Sequence, residues 1–113
     1  MQITLTTTGA RSGQPRPATL YAWEDGHRLV IVGSRGGAAR HPAWVHNLRA
    51  RPHAIVTRGR ESSEMVAHEV TAAEERERLW QLVVERFPLY DTYQRRTARR
   101  IPLFVLEPLG DAP

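Results

Sequence analysis

Two short loops hold the residue types best suited to chemistry. "GARSGQPR", residues 9–16, places Arg11 and Arg16 around a Ser-Gly pair, and "GSRGGAAR", residues 33–40, places Ser34, Arg35 and Arg40 around two glycines. Glycine lets backbone N–H groups come close to a ligand, and consecutive N–H groups in such turns form anion-binding nests. The arginine fork matches the oxygens of phosphate or carboxylate. The second loop also runs toward a helix, whose N-terminus favours negative charge. If the two loops adjoin in space, they make one anion pocket. Neither matches the phosphate-loop or dinucleotide fingerprints, so spacing alone does not say which anion.

Other reactive groups are sparse. His41 and His46 stand five apart and do not share a helix face, and no carboxylate accompanies them, so no metal site is expected. The glutamates after Thr71 read as a solvated helix face, not as paired acids for hydrolysis, and no serine has a nucleophile's context. An enzyme with this inventory needs a cofactor to carry the reaction. Trp44 reads by default as core. Tyr90 and Tyr93, at i, i+3 spacing, share one face of a short helix and either pack with wet hydroxyls or line a cleft. Trp23 and Trp80 are assigned to core or helix packing.

These residues must be positioned by a chain of 113 residues, room for one domain. Alternation at Ile3 and Leu5 gives a first strand. Thr19 to Trp23 and Leu29 to Val32 are joined by "EDGH", an Asp-Gly hairpin signal. A short helix runs from Pro42 to about Ala50, with proline at its first position and His41 as its cap. "HAIVT" and Ser63 to Val70 are strands around an "RGR" turn. "TAAE", Thr71 to Glu74, reads as a capping box opening a helix with Leu79, Leu82 and Val83 on its apolar stripe. Pro88 ends that helix, a second short one runs from Leu89 to about Ala98, and "IPLFVLEP" is a final buried strand. Six short strands with hairpin signals and peripheral helices predict an α+β chain built on a small mixed barrel, mostly antiparallel.

Every one of the 16 basic residues is arginine, and the formal net charge is +4. That excess implies an anionic partner. The run "RRTARR", Arg95 to Arg100, is the best support for nucleic acid, but it falls at a predicted helix end, where cations complement the dipole. No apolar run approaches the roughly 20 residues of a membrane span, and the first residues lack the pattern of a signal peptide. With zero cysteines there is no disulfide framework. A cytoplasmic protein without integral membrane association or a nucleic-acid partner is expected.

Taken together, "LTTTGARSGQPRPATLY", "VGSRGGAARHPAWVHNLRARP", "FPLYDTYQRRT" and "IPLFVLEP" resemble the deazaflavin (coenzyme F420)-dependent nitroreductase family. The match is in order and spans nearly the whole chain, 1–113. It implies a split β-barrel of about six strands with peripheral helices. It also implies coenzyme F420, with flavin mononucleotide as a less favoured ligand, and a monomer or homodimer. By position, Arg11, Arg16 and Arg35 would hold the phosphate and Pro17 would stand beside it. The backbone at Ser34, Gly36 and Gly37 would approach the coenzyme, with Trp44 and Asn47 at its edge. Hydride would pass from the reduced coenzyme to a small-molecule acceptor, a quinone, a nitroaromatic or a similar electrophile. Ser34, Tyr90 and Tyr93 would position the acceptor or relay a proton. The alternative is a non-catalytic carrier of the deazaflavin or of flavin mononucleotide. Many members carry a basic residue where this chain has Ala10, and lysine where it has Arg35. Some carry tyrosine where it has Phe87.

Overall fold

The computed structural model describes residues 1–109. Six strands close into one antiparallel barrel: β1 (Gln2–Thr8), β2 (Pro15–Asp25), β3 (Arg28–Val32), β4 (His53–Arg58), β5 (Glu61–Glu69) and β6 (Leu103–Pro108), in the spatial order β1-β2-β3-β6-β5-β4. Closure leaves no sheet edge to pair with another chain. Three helices accompany the barrel, α1 (Ala43–Ala50), α2 (Ala73–Arg86) and α3 (Leu89–Arg96), with a single 3-10 turn at Arg35–Gly37.

Alternation along β3 and β6 explains how the layers stack. Leu29 and Ile31 join Phe104 and Leu106 inside the barrel, while Val30 and Val32 join Leu103 and Val105 on its outer face. Both faces of these strands are buried, so both read as continuous apolar runs. Leu79 and Val83 of α2 and Tyr90 of α3 cover the outer face. Trp44, Val45 and Leu48 of α1 belong to the inner cluster. Helix α1 therefore closes one end of the barrel, and the candidate site lies there.

Several local expectations need correction. β2 begins at Pro15, not Thr19, with Pro17 opposite Thr6 and Arg16 opposite Thr7. Arg16 therefore stands on a strand; only the residues between β1 and β2 turn. The β2–β3 loop is Gly26-His27, with Asp25 paired to Arg28. The Thr71–Glu74 capping box does not form. Ala72 takes the cap position with no side-chain bond, which puts Thr71 one residue too early for its hydroxyl to meet the free amides. His41 does not cap α1 either, because Pro42 occupies that position. Helix α3 stops at Arg96, short of Ala98. Neither tryptophan set aside for packing is idle: Trp23 Nε1 donates to the Tyr90 hydroxyl at 2.9 Å, and Trp80 Nε1 donates to Asp91 at 3.0 Å.

Candidate functional site

The two arginine-glycine loops do adjoin. A cleft of about 890 Å³ is lined by Arg16, Pro17 and Thr19 from β2, by Ser34, Arg35 and Arg40 from the second loop, and by Trp44 and Asn47 from α1. A second depression of about 680 Å³, lined by Gly9, Ala10, Arg11 and Ser12, shares Arg16, Pro17, Ala43, His46 and Asn47 with it. The two form one continuous groove across the α1 end of the barrel. Among the described residues its lining carries Arg11, Arg16, Arg35, Arg40 and Arg99 and no acidic side chain. Leu20, Val32, Pro42 and Trp44 supply an apolar floor.

Asn47 joins the two halves. It is 6% exposed, its Nδ2 donates to Thr7 Oγ1 at 3.0 Å, and its Oδ1 accepts from the Ala10 N–H at 2.9 Å. Buried amides of this kind are costly to leave unpaired, so Asn47 fixes the end of β1 and the first loop against α1. Trp44 is 7% exposed and meets Phe104 edge-on, ring centroids 5.8 Å apart. It is thus a core residue that also lines the groove.

The second loop is strained. Arg35 has φ 46°, in the left-handed region, and is followed by Gly36 at 62° and Gly37 at 82°. Neither glycine lines the groove. Gly37 is buried against α3, where a Cβ would stand 2.7 Å from the Tyr93 carbonyl oxygen and 3.0 Å from Arg96 Cβ. Gly37→Ala should cost about 2–3 kcal/mol, from combined strain and overlap. A urea melt would read this as a lower midpoint with unchanged slope.

Arg99 was missed at the sequence level. Its guanidinium reaches back across 58 to 66 residues to the carbonyls of Gly33, Ser34 and Ala38 and to His41 Nδ1. Within "RRTARR" nothing distinguishes it from its neighbours. Tyr90 and Tyr93 lie apart from the groove lining. Tyr90 is 6% exposed, its hydroxyl accepts from Trp23, and burial pushes its pKa up. Tyr93 is half-buried, edge-on to Phe87 and Tyr90, with the Arg96 guanidinium over its ring.

The groove's charge has a pH signature. Burial, then Arg99, Arg49 and His46, lowers the His41 pKa below its ordinary 6.5. Arginine only donates, so His41 Nδ1 accepts from Arg99 as a neutral imidazole. A lowered folded-state value means the unfolded chain binds the proton first. His41 therefore supports the fold fully above pH 6.5, and that support is lost as pH falls below it. The Arg49 fork on Glu69, at 2.8 and 2.9 Å, lowers that carboxyl's pKa, so its support is lost at more acid pH, below the ordinary 4.5. Thermal melts from pH 7 down to pH 3 should show a falling Tm in two steps, and His41→Gln should remove only the upper one.

A closed antiparallel barrel with a basic groove and an apolar floor at one end defines a split-barrel coenzyme-binding protein. The donor set fits a planar ring carrying phosphate and carboxylates: arginine forks for the anion, apolar side chains for the ring, and no carboxylate to repel either. Residues 1–108 match the family described as F420H(2)-dependent quinone reductase, and the chain belongs to that family of oxidoreductases, whose coenzyme is F420. It is 41% identical over 106 residues to the F420H(2)-dependent quinone reductase Rv1261c of Mycobacterium tuberculosis, covering 92% of this chain and 71% of that protein. A solved F420-H2 dependent reductase, FDR-A, superposes with TM-score 0.83 at 39% identity, over 94% of this chain and 93% of that one. A second solved chain, described as a domain-swapped dimer, gives the same TM-score and identity, covering 94% and 79%. The heme storage protein HutZ of Vibrio cholerae, at 19% identity and TM-score 0.67, shares the fold alone. No helix among the described residues is long and apolar enough to cross a membrane.

Proposed function

We propose that the chain, as one coenzyme-binding domain over residues 1–113, reduces quinones with F420H2 held in the groove. The carrying observation is the concentration of Arg11, Arg16, Arg35, Arg40 and Arg99 around an apolar floor with no acidic lining residue among those described. Arg11, Arg16 and Arg35 hold the phosphate and Pro17 packs beside it, while Trp44 and Asn47 border the ring. Gly36 and Gly37 contribute through the shape of their loop, since neither lines the groove.

When bound, reduced F420 supplies the hydride. Reduction of a quinone to the hydroquinone takes two electrons and two protons, so the protein's task is to orient the acceptor, exclude water and keep a donor at the developing oxyanion. Ser34 is the nearest candidate: it lines the groove and its hydroxyl makes no hydrogen bond among the described residues. Tyr93 stands second, as a half-buried side chain whose backbone packs against Gly37 of the same loop. Tyr90 supports Tyr93 and Phe87 by packing, its own hydroxyl being shared with Trp23. The chain works as a monomer or homodimer, and nitroaromatics are secondary acceptors.

The test is a steady-state comparison of quinone and nitroaromatic acceptors with reduced coenzyme. Ser34→Ala should lower kcat/KM for the quinone about tenfold, the scale of one lost transition-state hydrogen bond, with coenzyme affinity nearly unchanged. Equal rates for variant and parent would remove Ser34 from the reaction. Faster turnover of the nitroaromatic would overturn the assignment of acceptor.

A further inference from the structure

Arg99 lies in the segment after α3, yet every partner of its guanidinium belongs to residues 33–41. Nε donates to Ala38 O at 2.7 Å, Nη2 donates to Ser34 O at 2.7 Å, and Nη1 donates to Gly33 O and His41 Nδ1, each at 2.9 Å. The stretch so gripped is the strained one, with three successive left-handed residues starting at the non-glycine Arg35. Such backbone persists only where its surroundings over-determine it. The loop's internal bonds, Gly37 N–H to Ser34 O and Ala38 N–H to Arg35 O, are short-range, and Gly33 N–H to Pro102 O anchors only its start. Arg99 is the long-range tie on the remainder.

Charge gives that tie a second consequence. Backbone carbonyls carry partial negative charge, and three of them beside an anion groove would repel the ligand. A guanidinium fork engages all three at once, whereas an ammonium is a point charge. The N–H groups of Ser34, Arg35 and Gly36 take no partner among the described residues, which leaves donors in surplus on this loop.

We propose that Arg99 is the positioning residue of the coenzyme site: by forking onto the carbonyls of Gly33, Ser34 and Ala38 it holds the 33–41 loop in its anion-accepting shape. The role depends on fork geometry and not on charge alone. It rests on the assignment of F420 to the groove.

Arg99→Lys and Arg99→Ala separate the possibilities. In coenzyme-free protein, the hydrogen-bonded amides of Gly37 and Ala38 should exchange at least tenfold faster in both variants, with the barrel strands unchanged. Titration with oxidised F420 should show both variants binding roughly tenfold or more weaker than the parent. Millimolar guanidinium should restore much of the loss in Arg99→Ala, and ammonium at equal concentration should not. Parent-like affinity and exchange in Arg99→Lys would overturn the proposal in favour of a simple charge. Global loss of protection in both variants would reduce Arg99 to a stability residue, and guanidinium rescue would then be absent. Failure of the parent itself to bind F420 would defeat the coenzyme assignment, whereas the exchange result on the free protein stands apart from it.

Discussion

The double variant Arg16→Ala/Arg35→Ala should bind oxidised F420 roughly a thousandfold more weakly than the parent. Each arginine offers an anionic tail a charge-assisted, forked contact, and one such contact is worth about 1.5–3 kcal/mol. The two residues approach the groove from different elements, Arg16 from β2 and Arg35 from the strained turn. Their losses should therefore add to a first approximation, with each single variant losing ten- to a hundredfold. Both stand at the surface, so the parent's affinity should also fall with salt. Arg60→Ala is the control. It sits in the β4–β5 turn at the far end of the barrel and should leave affinity unchanged. Equal loss in Arg60→Ala would mean that net charge, not the groove, attracts the coenzyme.

Asn47→Ala should be the most damaging single change near the site. The substitution strands the Thr7 hydroxyl and the Ala10 N–H, both satisfied by this one side chain. Two buried or partly buried polar groups without partners cost about 2–4 kcal/mol together. Function should suffer beyond the stability loss, because the amide is the tie between α1 and the loop bearing Arg11. In a melt Tm should drop by several degrees. Under conditions where the variant remains folded, its Kd for F420 should still rise several-fold. A variant that is destabilised but binds normally would make Asn47 purely architectural.

Much of the barrel was legible because alternation and apolar runs report burial directly. Ile3 and Leu5 gave β1, and the continuous apolar runs around Val30 and Phe104 are strands buried on both faces. The two arginine-glycine loops were legible as loops, and the structure brings both to one groove. Long-range partners were not. The contacts Asn47–Thr7 and Arg99–Ser34 link residues 40 and 65 apart, and nothing in local composition marks them. Arg99 in particular hides in a run of four arginines whose neighbours are exposed. Local rules also lost to tertiary context. Residues 9–16 read as a loop and the next strand as starting at Thr19, yet β2 begins at Pro15, paired with Thr8 of β1. At α2 the carboxylate expected to close a cap is not engaged there, and Glu75 in the same turn pairs instead with Arg28 and Arg78. The tyrosines were placed by resemblance. Packing with Trp23 and Phe87 then set Tyr90 away from the groove.

In the proposed function the basic groove holds F420H2 for hydride transfer to a quinone. The most direct measurement mixes purified protein with reduced F420 and a soluble quinone, and follows the return of oxidised coenzyme by absorbance, with reduced flavin mononucleotide run in parallel. In the proposed reaction, oxidation requires both protein and quinone, saturates with coenzyme, and collapses in Arg16→Ala/Arg35→Ala. Saturable binding of F420 with no quinone-dependent oxidation, or turnover with flavin mononucleotide in its place, would contradict it.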